Sequence, residues 1–537
     1  MAVSDESQLW VLPQRTISAR EIAILVSLSV MSLVIALDAN IIVTSLSNDK
    51  AIIQDIGGTS TQAFWVGTAY LISCAVVMPF IESVSNVLGR RQVLIPCVGL
   101  FTAGTLMCCF TSGIALMIAG RVVQGVGAGG MYVLCLVIFT DLVPLRLRFK
   151  LYGIIQGAWA IGSISGPIIG GAVAEHTTWR WVFYLNLPIC AYCLAFFCLF
   201  CQLKKPGETV ARGLAQMDWL GGFLFTASWV SLLIGISWGG VQFAWGSAQT
   251  VAPITLGVVG LAATIMYEAR YASHPFLKKT IFTSLNSVLV YILGFLQGLI
   301  LYGQLYYVPF YFLSVQGYTP TTSGVAMLPV SVLLVPGSII SGIMISRLNS
   351  YRWAIWIGWM LTTVTSGLLI QWDVGTPVVV WVVTLMVGGV GHGLVLNAQT
   401  FVSGISTPEA NDGESAAMYL FSRTIGTAIG VNLGSSVFQN FIAVKLPVEL
   451  SAVAHHAEQY LATLRHLPGG AYKDSILGAY AFAFQRVHTV FTGVAGLGLL
   501  LSVFIPRYSL NRTSTRRRTS LEKDEEASSQ SRTVGLH

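Results

Sequence analysis

Charge is what this chain has least of. Asp, Glu, Lys and Arg make up 10% of its 537 residues, where soluble domains carry roughly 25%. That scarcity excludes an ordinary water-soluble domain. The sequence has no G-x-x-x-x-G-K-[ST] phosphate loop, which argues against an ATP-driven machine. No Ser–His–Asp or metal-ligand constellation stands out, so the chain is not expected to be an enzyme or to hold a metal or cofactor. All nine cysteines lie at or before residue 201, in apolar runs. An odd number so placed is no disulfide framework. Cys190, Cys193, Cys198 and Cys201 form two C-x-x-C pairs with neither a nearby His nor a loop. They read as small apolar residues rather than as a metal site.

What fills the chain instead is apolar. Hydrophobic residues are 54% of the total, and mean hydropathy is +0.71. Fourteen runs are long enough to span a bilayer, near 22–46, 64–82, 92–112, 114–140, 151–174, 181–202, 218–240, 251–267, 287–310, 322–345, 353–370, 377–401, 415–440 and 488–506. The first run follows mixed polar sequence and has no well-placed small-residue cleavage site, so it reads as a retained helix. With an even number of spans both termini share a side. If they start inside, the inner segments hold 22 of the 30 Lys and Arg and the outer segments six. Both termini are therefore expected to be cytoplasmic. The same bias accounts for the net charge of +7 without a nucleic-acid partner.

The runs fall in a 6+2+6 pattern. The expected architecture is an all-α integral membrane protein of two six-helix bundles with two inserted helices. Its parts are a cytoplasmic segment 1–21, an N-terminal bundle 22–203, a connector 204–286 with the inserted pair, a C-terminal bundle 287–506 and a polar tail 507–537. The loops ESVSNVLGRR and SGIMISRLNSYR are basic and sit at matching places in the two halves. Repeated halves about a central cavity are a recurring transporter plan. The long outer loop 441–487 carries a helical stripe (Leu450, Val453, Ala454, Ala457, Leu461, Leu464) that suits an amphipathic helix. Its His455, His456 and His466 read as solvated. The tail holds Arg516–Arg518 and a weak phosphosite pattern at Thr519 or Ser520.

Residues 151–174, LYGIIQGAWAIGSISGPIIGGAVA, carry no charge. Gly162, Gly166 and Gly170 recur every four residues, so they bare one helix face to a neighbour. Pro167 removes an N–H and frees the Ser163 carbonyl. A bare, kinked face suits a seam that packs tightly and shifts, although small residues also glue static bundles. Arg121 lies mid-run, where a charge costs about 2.5–3.5 kcal/mol on insertion scales. Asp38, at similar depth on the first helix, is its best partner, and Gln124 is one turn on. Such a pair is either a proton switch, through burial and a neighbouring charge acting in opposite directions, or a fixed tie between helices. Gln297 and Gln304 share a helix face, and Tyr302, Tyr306 and Tyr307 add aromatic surface. That mixture suits either a ligand cavity or inter-helix bonding. Arg423, ahead of Gly426 and Gly430, is the second membrane-level cation, poised either within the bundle or near the end, where it would snorkel.

Taken together these motifs resemble the major facilitator superfamily, in its fourteen-helix drug:proton antiporter branch and especially fungal toxin and multidrug efflux pumps. The likeness rests on LDANIIVTSL (37–46), GRVVQGVGAGG (120–130), GSISGPIIGG (162–171), WRWVFYLNLP (179–188), DWLG (218–221) and SGVAMLP (323–329). It implies that Arg121 is the coupling arginine and that Gly162, Gly166, Pro167, Gly170 and Gly171 form the antiporter motif. The family's cytoplasmic gate loop usually offers Gly and Asp where this chain has Glu82 and Asn86, with Gly89, Arg90 and Arg91 kept. Asn86 cannot make the gate's ion pair, and Glu82 is placed to supply the charge. The family proline after the first-helix motif is absent, with Ser47 near its place.

The expected function is thus a proton-coupled exporter of a small, largely apolar organic molecule. It would be a monomer in the plasma membrane, with the vacuolar membrane as the alternative, and with protons, substrate and lipid as its partners. Asp38 would carry the proton, Arg121 would tune it, and Gly166–Pro167 would set the moving seam. A proton-coupled importer of the same fold, for a siderophore or amino acid, is the first alternative; a non-transporting membrane sensor is the second.

Overall fold

The computed structural model describes residues 18–46, 55–57, 60–143, 145–201, 210–215, 217–240, 242–272, 275–282, 284–405, 412–447 and 467–507, with Leu450, Tyr460 and Leu464. Ser47, most of the stripe between 451 and 463, the three histidines beside it and the tail phosphosites lie outside the described residues.

Among the described residues the chain is helical, with one isolated bridge between Gly239 and Phe243. The first half comprises α1 (Ala19–Leu46), α2 (Ser60–Val76), α3 (Met78–Leu88), α4 (Arg90–Cys109), α5 (Ile114–Leu142), α6 (Leu145–His176), α7 (Trp181–Tyr184) and α8 (Asn186–Leu199). A short α9 (Val210–Ala215) leads to α10 (Trp219–Trp238) and α11 (Ala248–Arg270). The second half comprises α12 (Leu285–Ser314), α13 (Pro320–Ala326), α14 (Leu328–Leu348), α15 (Arg352–Leu369), α16 (Val378–Ile405), α17 (Asp412–Lys445) and α18 (Ala471–Val503).

Each apolar run coincides with a helix or a broken helix pair. Among the described residues ten of these are long and apolar enough to cross a membrane, or eleven when α2 and α3, bent by 44° at their junction, count as one span. The other three runs are α6, α15 and α17. They are rich in Gly, Ser and Thr, which lowers their apolar content while letting neighbours approach.

The halves repeat a turn. Gly89, at φ 102°, joins α3 to α4, and Asn349, at φ 51°, joins α14 to α15. Both places need a positive φ, Gly89 at ψ 141° in a region open chiefly to Gly and Asn349 at ψ 33° in the left-handed helical region that Asn tolerates. Arg91 fixes the first turn by donating to the carbonyls of Phe197 (3.0 Å) and Cys198 at the end of α8. The inserted helices lie beside the boundary between halves. Trp238 of α10 meets Trp65 of α2 edge-on at 6.3 Å, and Ser237 donates to Asn432 of α17 at 3.2 Å. On α11, Leu256, Val258, Val259, Ile265 and Met266 are exposed, as a helix facing lipid would have them. All nine thiols are free.

Candidate functional site

Three arrangements position the polar side chains, and the first lies wholly within the N-terminal half. Asp38 on α1 is 0% exposed and Arg121 on α5 1% exposed. Arg121 Nη1 donates to Asp38 Oδ2 at 2.7 Å and to Gln124 Oε1 at 2.6 Å, and its Nε donates to the Val66 carbonyl at 3.1 Å. The Tyr70 ring lies under the guanidinium at 4.1 Å. The other carboxylate oxygen of Asp38 accepts from Gln124 Nε2 at 2.9 Å and from Asn186 Nδ2 at 2.7 Å. Gln124 Nε2 also reaches Thr105 Oγ1 at 2.9 Å. A buried carboxylate thus ties α1 to α5 and α8 through charge-assisted bonds, the strong class. Asn186 was not singled out in the sequence, although it stands in WRWVFYLNLP. Periodicity does not distinguish one Asn in an apolar helix start from any other.

The second arrangement is the small-residue seam. A Cβ on Gly166 would sit 3.0 Å from Ile41 N and 3.1 Å from the Leu37 carbonyl; on Gly162 it would overlap the Leu33 carbonyl and sit 3.0 Å from Leu37 N. That face therefore packs on α1 of its own half, and Gly170 is buried beside it. Contacts with the other half run along the rest of α6, from Gly153 against Ile339 and Gly157 against Val335 of α14 to Pro167 and Gly171 against α13. A Cβ on Gly171 would meet Pro320 C and Thr321 N at 2.7 Å, and one on Gly324 would meet Pro167 C at 3.0 Å. At the opposite, basic end, Asn86 Nδ2 donates to Glu82 Oε1 at 2.7 Å and Arg90 Nη1 lies 3.5 Å from the same oxygen. Arg90 also donates to Asp141 Oδ2 at 3.0 Å and Ser85 Oγ at 2.6 Å. Gly413 of α17 packs against this group, its Cβ position 3.5 Å from Arg90 Nη2, and the next residue, Glu414, pairs with Lys278 at 2.5 Å. The halves therefore meet at both ends.

The third arrangement lies between them. A cavity of about 30 Å³ is bordered by Ala39, Tyr70, Tyr132, Trp159, Tyr302 and Arg423, among others. That is room for about one water, whereas ligand pockets measure roughly 300–1,000 Å³; this is a closed state. Arg423 is 3% exposed and sits against the cavity rather than snorkelling to an end. Its Nε donates to Gln297 Oε1 at 3.0 Å and its Nη1 to the Tyr132 hydroxyl of the other half at 2.9 Å. Gln304 does not join this group. Its Nε2 donates to Ser366 at 2.9 Å, and its Oε1 lies 3.2 Å from His392 Nε2, inside the C-terminal half. Tyr302 borders the cavity, while Tyr306 stacks edge-on with Tyr307 at 5.1 Å.

A family description, Major Facilitator Superfamily, matches residues 28–431. The MFS transporter L2 of a Phoma species is 34% identical over 500 residues, covering 92% of this chain and 83% of that protein. The MFS efflux transporter aclA of Aspergillus oryzae is 33% identical, covering 94% and 91%, and the efflux pump FUS6 of Gibberella moniliformis is 30% identical, covering 92% and 89%. Among solved structures, the E. coli xylose transporter XylE, in a partially occluded inward-open conformation, aligns with TM-score 0.54 at 12% identity over 91% of this chain and 98% of its own. The human organic anion transporter MFSD10 aligns with TM-score 0.55 at 14% identity over 89% and 99%. These two likenesses concern the fold alone.

Proposed function

The chain belongs to the Major Facilitator Superfamily and is an integral membrane transporter, not an enzyme; from that premise we propose that it exports a small organic compound in exchange for protons. Relatives named for efflux favour the outward direction. The observation that carries the coupling is the Asp38–Arg121 pair, closed at 2.7 Å at essentially zero exposure. Its members are costly inside a membrane unless paired, so adding a proton to the carboxyl changes the balance more than any other single event there. Protonated Asp38 accepts more weakly from Arg121, Gln124 and Asn186, and the ties from α1 to α5 and α8 loosen together. Helix α1 also supplies Ile35, Ala36 and Ala39 to the cavity wall. Loosening α1 therefore reshapes the substrate space, which is the coupling an antiporter needs.

In this reading the halves rock about the cavity, with Gly171–Pro320 closing one end and the Arg90–Glu82 group against Gly413 closing the other. Both termini face the cytoplasm, the membrane is the plasma membrane, and the working unit is a monomer. Each proton entering at 100 mV contributes about 2.3 kcal/mol.

The test is export from pump-deficient yeast expressing the chain, assayed across fungal metabolites and azoles with and without a protonophore. The expected result is lower accumulation of at least one compound, reversed when the gradient collapses and lost in Asp38→Asn at unchanged protein level. Full residual export by Asp38→Asn would remove Asp38 from the mechanism.

A further inference from the structure

We propose that the cavity takes organic anions, with Arg423 receiving the acidic group and Trp159, Tyr132 and Tyr302 the planar apolar body. The inference rests on the transport reading above and names the substrate class of the same site.

The argument starts from charge. A cation buried in a membrane either pairs with an opposite charge or backbone carbonyls, as Arg121 does with Asp38 and the Val66 carbonyl, or faces a cavity along a substrate pathway. Arg423 has no such partner: among the described residues no carboxylate oxygen lies within 4.0 Å of its guanidinium. What it has are neutral acceptors, Gln297 Oε1 and the Tyr132 hydroxyl, and the Trp159 ring at 5.4 Å. Its Nη2 makes no hydrogen bond to a described residue. Because a guanidinium only donates, Gln297 must turn its carbonyl towards it, which leaves the amide nitrogen facing elsewhere. That nitrogen, Nε2, is buried and without a partner among the described residues, in a side chain 2% exposed. Gln297 is thus held as an acceptor behind Arg423, and the cavity itself offers the unspent Nη2 of Arg423 and a positive charge that no described carboxylate compensates, a set that fits a carboxylate, sulfonate or phenolate.

The surroundings suit the rest of such a molecule. The Trp159 and Tyr302 rings are 6.2 Å apart, and Thr424 and Thr427 spend their hydroxyls on backbone carbonyls. The closed cavity is too small for a ligand of this kind, so the acid binds when the halves part. Its arrival has a direct consequence: the Arg423–Tyr132 bond joins α17 to α5 across the halves, and an anion at Arg423 displaces the Tyr132 hydroxyl. Substrate arrival and release of this tie become one event.

The test uses the full chain in lipid nanodiscs and two probes of equal shape, 2-naphthoate and the neutral 2-naphthamide. Naphthoate is expected to bind at least about tenfold more tightly. The preference should fall to within about twofold in Arg423→Gln, persist in Arg423→Lys, and grow in Tyr132→Phe, which removes the competing hydroxyl. Equal binding of the two probes, binding of neither, or a preference that survives Arg423→Gln would overturn the proposal. The same pair is then assayed for uptake into proteoliposomes against a proton gradient. Movement of naphthamide but not naphthoate overturns the anion proposal and leaves transport standing. Preferential naphthoate binding with movement of neither upholds the anion site and refutes the transport reading.

Discussion

Replacing Gly171 with alanine should open one end of the transporter without unfolding either half. The added carbon would lie 2.7 Å from Pro320 C and Thr321 N, against the 3.4 Å at which ordinary contact begins. Both neighbours are backbone and cannot rotate away, so α6 and α13 must separate by about 0.7 Å, the difference of those two distances. Overpacking of this kind costs about 1–3 kcal/mol. The cost falls only on states in which this end is closed, so the closed-to-open ratio should shift roughly 5- to 150-fold. Spin labels on cysteines at Ala172 and Thr322, in nanodiscs, would report it as a gain of a longer distance. Gly162→Ala is the control, because its carbon presses most closely on the Leu33 carbonyl, and then on Leu37 N and Ala36 at 3.0 and 3.1 Å, all of the same half, so its clash is the tighter of the two yet touches no residue of the other half. It should lower the thermal midpoint and leave the distance unchanged. An unaltered distance distribution in folded Gly171→Ala, or equal lengthening in Gly162→Ala, would refute the reasoning.

Other expectations follow from single contacts. Asp55 accepts from Arg180 at 2.5 Å and from Trp179 at 3.1 Å, and the Arg180 bond holds its carboxyl below the ordinary 3.8. A depressed carboxyl contributes stability above its unfolded value and loses it as pH falls through the folded one. The difference in thermal midpoint between wild type and Asp55→Asn should therefore be constant from pH 8 to about 5 and shrink steadily as pH falls below about 4. Gly89→Ala forces a side chain into φ 102°, ψ 141°, at a cost of about 1–3 kcal/mol, readable as a lower unfolding midpoint. A double-mutant cycle on Lys278→Met and Glu414→Gln should give a coupling of about 0.2–1 kcal/mol that shrinks with salt, because Lys278 is half exposed.

Much of this was legible in the sequence because the membrane makes the pattern coarse. Apolar runs of spanning length, glycines four apart and a lone arginine at mid-run each have few physical solutions. The Asp38–Arg121 juxtaposition followed from depth alone, since two helices running in opposite directions bring those positions level. What the sequence could not give is azimuth. Gln297 and Gln304 share a helix face by spacing, yet one reaches Arg423 at the boundary between halves and the other reaches Ser366 within its own half. Their spacing fixes a common stripe, but a stripe wide enough to touch two neighbours serves both. Asn186, Tyr132 and Glu414 were hidden for the same reason: each acts through a partner more than a hundred residues away in sequence.

The two buried arginines make the point sharper. Residue type and depth describe them alike, and only the partners separate them. Arg121 has a carboxylate at 2.7 Å inside one half, so its charge is balanced before any ligand arrives. Arg423 has neutral acceptors, one of them across the boundary, so no described residue balances its charge. A balanced pair responds to a proton, which unbalances it. An unbalanced cation responds to an anion, which completes it. If Arg423 instead served only to hold the halves together, Tyr132→Phe would weaken the closed state and leave probe preference untouched; a larger preference for naphthoate in that variant is the result a holding role does not produce.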